Sequence, residues 1–178
     1  MSSENYGTNN NNVNEVDKKT LKEIEVKYSK KITKEDLKNV INEFSLKDLI
    51  SSQMAEFEVK TQPLAKKFAK FAKKMNGKNP QEQKSKVVDF VKKNVYYFWE
   101  KYIEKQIPFL KDSNNILPED VYYTYVFGFF VTLHSKKLKR QEKINVMANA
   151  LAEIKINTEN VKMAMQEYLE KTNNEKKN

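Results

Sequence analysis

The chain has no cysteine, three glycines, four prolines, one histidine and one arginine among its 178 residues. Without cysteine, no disulfide framework or thiolate metal site can form, which removes the zinc modules of nucleic-acid recognition. With His134 as the sole histidine, nucleophile–base dyads and histidine-rich metal sites are also unavailable. A lone histidine ending an apolar helix reads as structural. The scarcity of glycine and proline excludes the turn-rich all-β architectures. Gly7, Gly77 and Gly128 are isolated, so no glycine-rich loop cradles a phosphate. The most apolar run, 121–133, is interrupted by Thr124, Gly128 and Thr132. It is too short for a membrane span and fits a buried helix. The first 16 residues are polar, with Asn at five of the six positions 9–14, which is unlike a signal peptide. No catalytic constellation and no cofactor motif appears. The expectation is a soluble protein that is not an enzyme.

What the chain does have is lysine. There are 32 against the single Arg140, a bias that AT-rich codons explain most simply. Arginine is the residue suited to bidentate phosphate recognition, so phosphate binding here is expected to be point-charge and blind to sequence. The net charge of +9 is concentrated: residues 61–86 carry eight lysines against Glu82, a local +7. A localised basic face calls for an anionic partner.

Helical periodicity runs through most of the chain, and the expected fold class is all-α. The division is a polar Asn-rich tail (1–16), a helical arm (17–78), an antiparallel helical bundle (79–171) and a second polar tail (172–178). Leu21, Ile24 and Tyr28 stripe a helix over 17–30. Leu37, Val40, Ile41 and Phe44 follow the i, i+3, i+4, i+7 template after Thr33, with Asp36 completing a capping-box variant. Ser45 with Asp48 repeats that pattern ahead of Leu46, Leu49, Ile50 and Phe57. Pro63 marks a break or kink, and Gly77 ends the next helix. In that helix, over 63–76, Leu64, Phe68, Phe71 and Met75 fall within one apolar arc. Lys66, Lys67, Lys70, Lys73 and Lys74 fall on the opposite side. Asn79, Pro80 and Glu82 open a long helix to about residue 106, striped by Val87, Val88, Val91, Val95, Phe98 and Tyr102. Residues 107–117 read as a loop. Pro118, Glu119 and Asp120 open a helix expected to be central. Ile144, Met147, Leu151 and Ile154 stripe another, with Asn157 or Thr158 capping the last.

The lysine face reads first as a solvated helix face, next as a nucleic-acid contact and third as a membrane-surface helix. As a contact it would follow a phosphate track through Lys66, Lys67, Lys70, Lys73, Lys74 and Lys78, while Phe68 and Phe71 hold the helix to its domain. A second cluster, Lys136, Lys137, Lys139 and Arg140 with Lys143, reads first as compensation of a helix dipole. If adjacent in space, the two would form a stripe. The dense aromatics at 96–102 and 122–130 read first as core. Tyr96, Trp99 and Tyr123 lie on further helix faces and are expected at a subunit interface.

With its basic helical arm at 63–78 and a Tyr- and Phe-rich bundle at 80–171, the chain resembles in plan the helical coat proteins of archaeal filamentous DNA viruses. That resemblance implies an arm that wraps the genome and a bundle that forms an outer wall. The expected function is therefore sequence-independent nucleic-acid binding in a coat or packaging role. DNA stands ahead of RNA as partner, self-association or a larger assembly is expected, and the location is virion or cytoplasm. The alternatives are a helical subunit of a larger protein or ribonucleoprotein complex, and an interfacial membrane-binding protein.

Overall fold

A computed structural model describes residues 31–177; the tail 1–16 and the helix expected over 17–30 lie outside the described residues. The fold is all-α, with no strand among the described residues. No described helix is long and apolar enough to cross a membrane.

Helix α1 (Lys34–Glu43) opens on the capping box: Asp36 N donates to Thr33 Oγ1 and Thr33 N to the Asp36 carboxylate, both at 3.1 Å. The second expected cap does not form. Ser45 adopts a left-handed conformation at φ 50°, and its side chain makes no capping bond. A left-handed residue cannot continue the right-handed helix, so α1 ends and α2 begins at this position.

Helix α2 (Leu46–Met75) continues for 30 residues with Pro63 inside it, so of the expected break or kink at that proline the break does not occur. Proline removes the donor to the carbonyl of Val59. Pro63 is exposed and Val59 is 74% exposed, so water can satisfy the freed carbonyl. Both flanks are anchored, by Phe57 and Thr61 before the proline and Phe68 after it. The basic helix is therefore the second half of a longer one.

Gly77, at φ +81°, turns the chain after α2. Helix α3 (Pro80–Asn94) then starts with the expected Asn79 cap, which accepts from Glu82 N at 2.8 Å. The single helix expected to residue 106 is instead interrupted. Val95 departs from helical geometry (φ −122°, ψ −33°). A short α4 (Tyr96–Phe98) and a π-helical turn (Trp99–Glu104) follow. The wider turn admits an extra residue, and Phe98, Trp99 and Ile103 all become buried.

The expected loop at 107–117 is a fourth correction. It contains helix α5 (Pro108–Ile116), with Pro108 in the first turn and Phe109, Leu110, Ser113 and Ile116 buried. Its polar residues have partners: Ser113 accepts from Thr158 Oγ1 at 2.8 Å, and Asp112 pairs with Lys162.

Helix α6 (Glu119–Leu133) buries Tyr122, Val126, Phe129, Phe130 and Leu133. It is not enclosed, because Thr124, Gly128 and Val131 face solvent. Helix α7 (Arg140–Lys177) is a single 38-residue helix. Asn157 and Thr158 do not cap a new one. Asn157 donates to Tyr125 Oη at 2.8 Å, and Thr158 Oγ1 also reaches the Ile154 carbonyl at 2.7 Å. No breaker follows Leu169, so the Glu- and Lys-rich end that reads as a tail continues the helix to Lys177. One core joins Ile41, Leu46, Ile50, Met54, Phe57 and Phe68 of α1 and α2 to the bundle residues. The helical arm, over its described part, is packed onto the bundle.

Candidate nucleic-acid interface

The second half of α2 is held by one ring system. Phe68 lies 5.3 Å from Phe90, 5.7 Å from Phe127, 6.3 Å from Phe130 and 6.2 Å from the His134 imidazole. Phe71 adds contacts of 4.4 Å to Phe90 and 5.5 Å to Phe127. With that face fixed, helical spacing turns Lys66, Lys67, Lys70, Lys73 and Lys74 outward, and all five are exposed. Among the described residues none of the five pairs with a carboxylate. Lys67 reaches only Asn94 Oδ1 at 3.5 Å, and Lys78 differs in bridging Glu82 at 3.1 Å.

The neighbour along this face is α3 and the segment that follows it, antiparallel to α2. The register reads from contacts: Met75 with Gln83, Phe71 with Phe90 and Lys67 with Asn94 on α3, then Lys60 with Tyr102 and Gln53 with Gln106 beyond it. Gln83 Nε2 donates to the carbonyls of Met75 and Lys78, both at 3.0 Å, satisfying acceptors that the end of α2 leaves open. At about 100° per residue, Lys86 and Lys93 lie on the outer flank of α3 nearest α2, and both are exposed. The basic surface is thus a two-helix ribbon. Asp89 lies on the outer side of the same helix. Sequence reasoning counted Lys86 only in the charge total and missed Lys93, because the α2–α3 register is not visible locally.

Two members of the second cluster are engaged away from this ribbon. Arg140 Nη2 donates to the Ser51 carbonyl at 2.8 Å and to its hydroxyl at 3.2 Å. Ser51 precedes Lys66 by 15 residues, ~22 Å along the helix axis. Arg140 is therefore a tie between α7 and the first half of α2, on the flank away from α3. Lys143 Nζ donates to the Leu133 carbonyl at 2.9 Å, the dipole-compensating arrangement at the end of α6. Lys136, Lys137 and Lys139 remain exposed there.

The three residues expected at an interface are corrected by their burial. Trp99 is fully buried and Tyr123 is 6% exposed. The Trp99 indole donates to Tyr122 Oη at 2.9 Å. Tyr96 is half-buried: its hydroxyl accepts from Asn114 at 3.0 Å and donates to Glu104 at 3.3 Å. Tyr123 faces the core from α6, and Tyr96 and Trp99 belong to the segment altered by the shift at Val95 and the π turn. Within this segment the aromatic turned outward is Tyr97, 71% exposed, which sequence reasoning grouped with the aromatics read first as core.

Titratable groups behave as their surroundings dictate. Burial pushes the Glu104 carboxyl up, partly offset by hydrogen bonds from Asn114 and Tyr96. Burial lowers the His134 pKa. Its Nε2 lies 2.6 Å from Thr61 Oγ1, which donates to the Phe57 carbonyl, also at 2.6 Å. The Thr61 proton being used, Nε2 carries its own and donates. His134 thus has a packing role beneath the ribbon. The hydrogen bond to Tyr102 raises the Lys60 pKa, and the one to Tyr97 raises that of Lys101. Among the described residues no group of three or more Asp, Glu, Cys or His side chains could hold a metal ion.

Comparison with family models, curated proteins and solved structures finds no match.

Proposed function

We propose that this protein binds nucleic acid through the phosphate backbone, without reading sequence, in a structural rather than catalytic role of the coat or packaging type. The observation that carries this reading is the ribbon: five exposed lysines on α2, none paired with a carboxylate among the described residues, backed by a helix fixed in the core, with Lys86 and Lys93 on the adjacent flank. A merely solubilising surface mixes both signs, and here one sign prevails. Lysines one helical turn apart offer point charges to successive phosphates. The ribbon lies on α2 and α3, and Arg140 is engaged elsewhere.

Replacing Lys66, Lys70 and Lys73 together with Gln tests this. Affinity should fall alike for DNA duplexes of unrelated sequence. The slope of log affinity against log salt should flatten by roughly 0.9 for each phosphate no longer neutralised. Unchanged affinity and slope leave the face as solvated surface only.

A further inference from the structure

We propose that the ribbon takes a single-stranded nucleic acid and that Tyr97 is a platform on which one of its bases stacks. The inference rests on the phosphate-binding reading above and adds the class of strand. Tyr97 is 71% exposed, an unusual state for a large ring in a chain that buries most of its aromatics. It follows Lys93 by four residues, across the departure at Val95. It lies three residues beyond Asn94, the partner of Lys67. A base attached to a phosphate held by Lys67 or Lys93 can therefore reach it.

The Lys101 ammonium lies beyond the hydroxyl end of the ring, 5.6 Å from its centroid, and donates to its hydroxyl at 3.4 Å. Among the described residues no other ring stacks on it. That leaves a face of the phenol open to a base. A duplex cannot use this face, because its bases are stacked on one another and its outside is sugar and phosphate. An unpaired base can. A membrane surface fits less well. The ribbon's outer side offers lysine and one tyrosine, not the apolar stripe that interfacial helices insert.

The test uses the full chain and three labelled probes of roughly 20 nucleotides, long enough to cover the ribbon: oligothymidylate, a mixed-sequence duplex, and an abasic strand with the same phosphates and no bases. The wild-type protein should favour oligothymidylate over both others. Tyr97→Ala should weaken oligothymidylate binding about 5- to 150-fold, the range for removing one stacked base. It should leave abasic-strand binding unchanged, and Tyr97→Phe should retain affinity. Equal binding of oligothymidylate by wild type and Tyr97→Ala overturns the stacking proposal, as does a preference for duplex. The lysine triple variant separates the two readings. If it weakens all probes while Tyr97→Ala weakens none, phosphate binding stands and stacking falls. If no probe binds the wild type, both fall.

Discussion

Removing the Phe68 ring should loosen the basic half of α2 without touching a charge. Phe68 is 4% exposed and packs against four other rings contributed by α3, α6 and the residue that ends α6. Phe68→Ala deletes that burial and leaves a cavity among rigid rings, with an expected loss of about 3–5 kcal/mol. A domain of this kind has on the order of 5–15 kcal/mol in total, so the variant should still fold. Beyond Thr61, Phe68 is the only fully buried anchor of α2; Leu64, Phe71 and Met75 are half-buried. The damage should therefore concentrate there. Urea unfolding would measure the global loss, and amide hydrogen exchange would locate it. Exchange over 64–76 should accelerate well beyond that of α7, and affinity for anionic strands should fall because the lysines are no longer held in one plane. A loss below about 1 kcal/mol, or acceleration spread evenly over the molecule, would refute the claim that Phe68 docks the basic segment.

Three further outcomes follow from the same packing. Pro63→Ala should raise stability by about 1–3 kcal/mol, since it restores a donor to the Val59 carbonyl within a continuous helix; a lowered urea midpoint would count against that account. Thr61→Val should cost about 1–3 kcal/mol, because the buried hydroxyl meets both the Phe57 carbonyl and His134 Nε2, and wild-type-like stability would mean that neither bond matters. Glu104→Gln should change the pH dependence. The folded-state carboxyl is raised by burial, so the native state holds its proton longer than the unfolded chain, and stability falls as pH rises through the raised value. Gln removes that loss, so the variant should be the more stable above the raised value, with the advantage gone below the ordinary carboxyl value; parallel stability-versus-pH curves would contradict it. His134 acts oppositely: its lowered pKa makes stability fall as pH drops below the ordinary imidazole value.

Local chemistry carried much of the architecture. Thr33 with Asp36 and Asn79 with Pro80 and Glu82 start helices because a cap acts within three residues of itself. The alternation of Phe68 and Phe71 with lysines is likewise a property of one helix. Helix α5 was hidden for the opposite reason. Asp112, Ser113 and Asn114 look like loop residues until Lys162, Thr158 and Tyr96 supply their partners, 50, 45 and 18 positions away in the chain. Pro63 misled because its cost is set by whether water reaches one carbonyl and by what anchors the helix on either side.

The same distinction governs the candidate site. The α2 lysines were legible as a face because periodicity alone fixes which side of a helix they occupy. Whether they stand alone or with α3 depends on how the two helices pair, and that is decided by Phe71 meeting Phe90 and Gln83 meeting the end of α2. At about 100° per residue, a regular helix through residues 95–104 carries Tyr96 and Tyr97 well away from the apolar stripe and Trp99 at its edge. With the departure at Val95 and the wider π turn, Trp99 is buried and Tyr96 half-buried, while Tyr97 stays outside. The ring that stays outside thus follows the lysines of α3 in the chain, the position at which the proposed stacking would place a base.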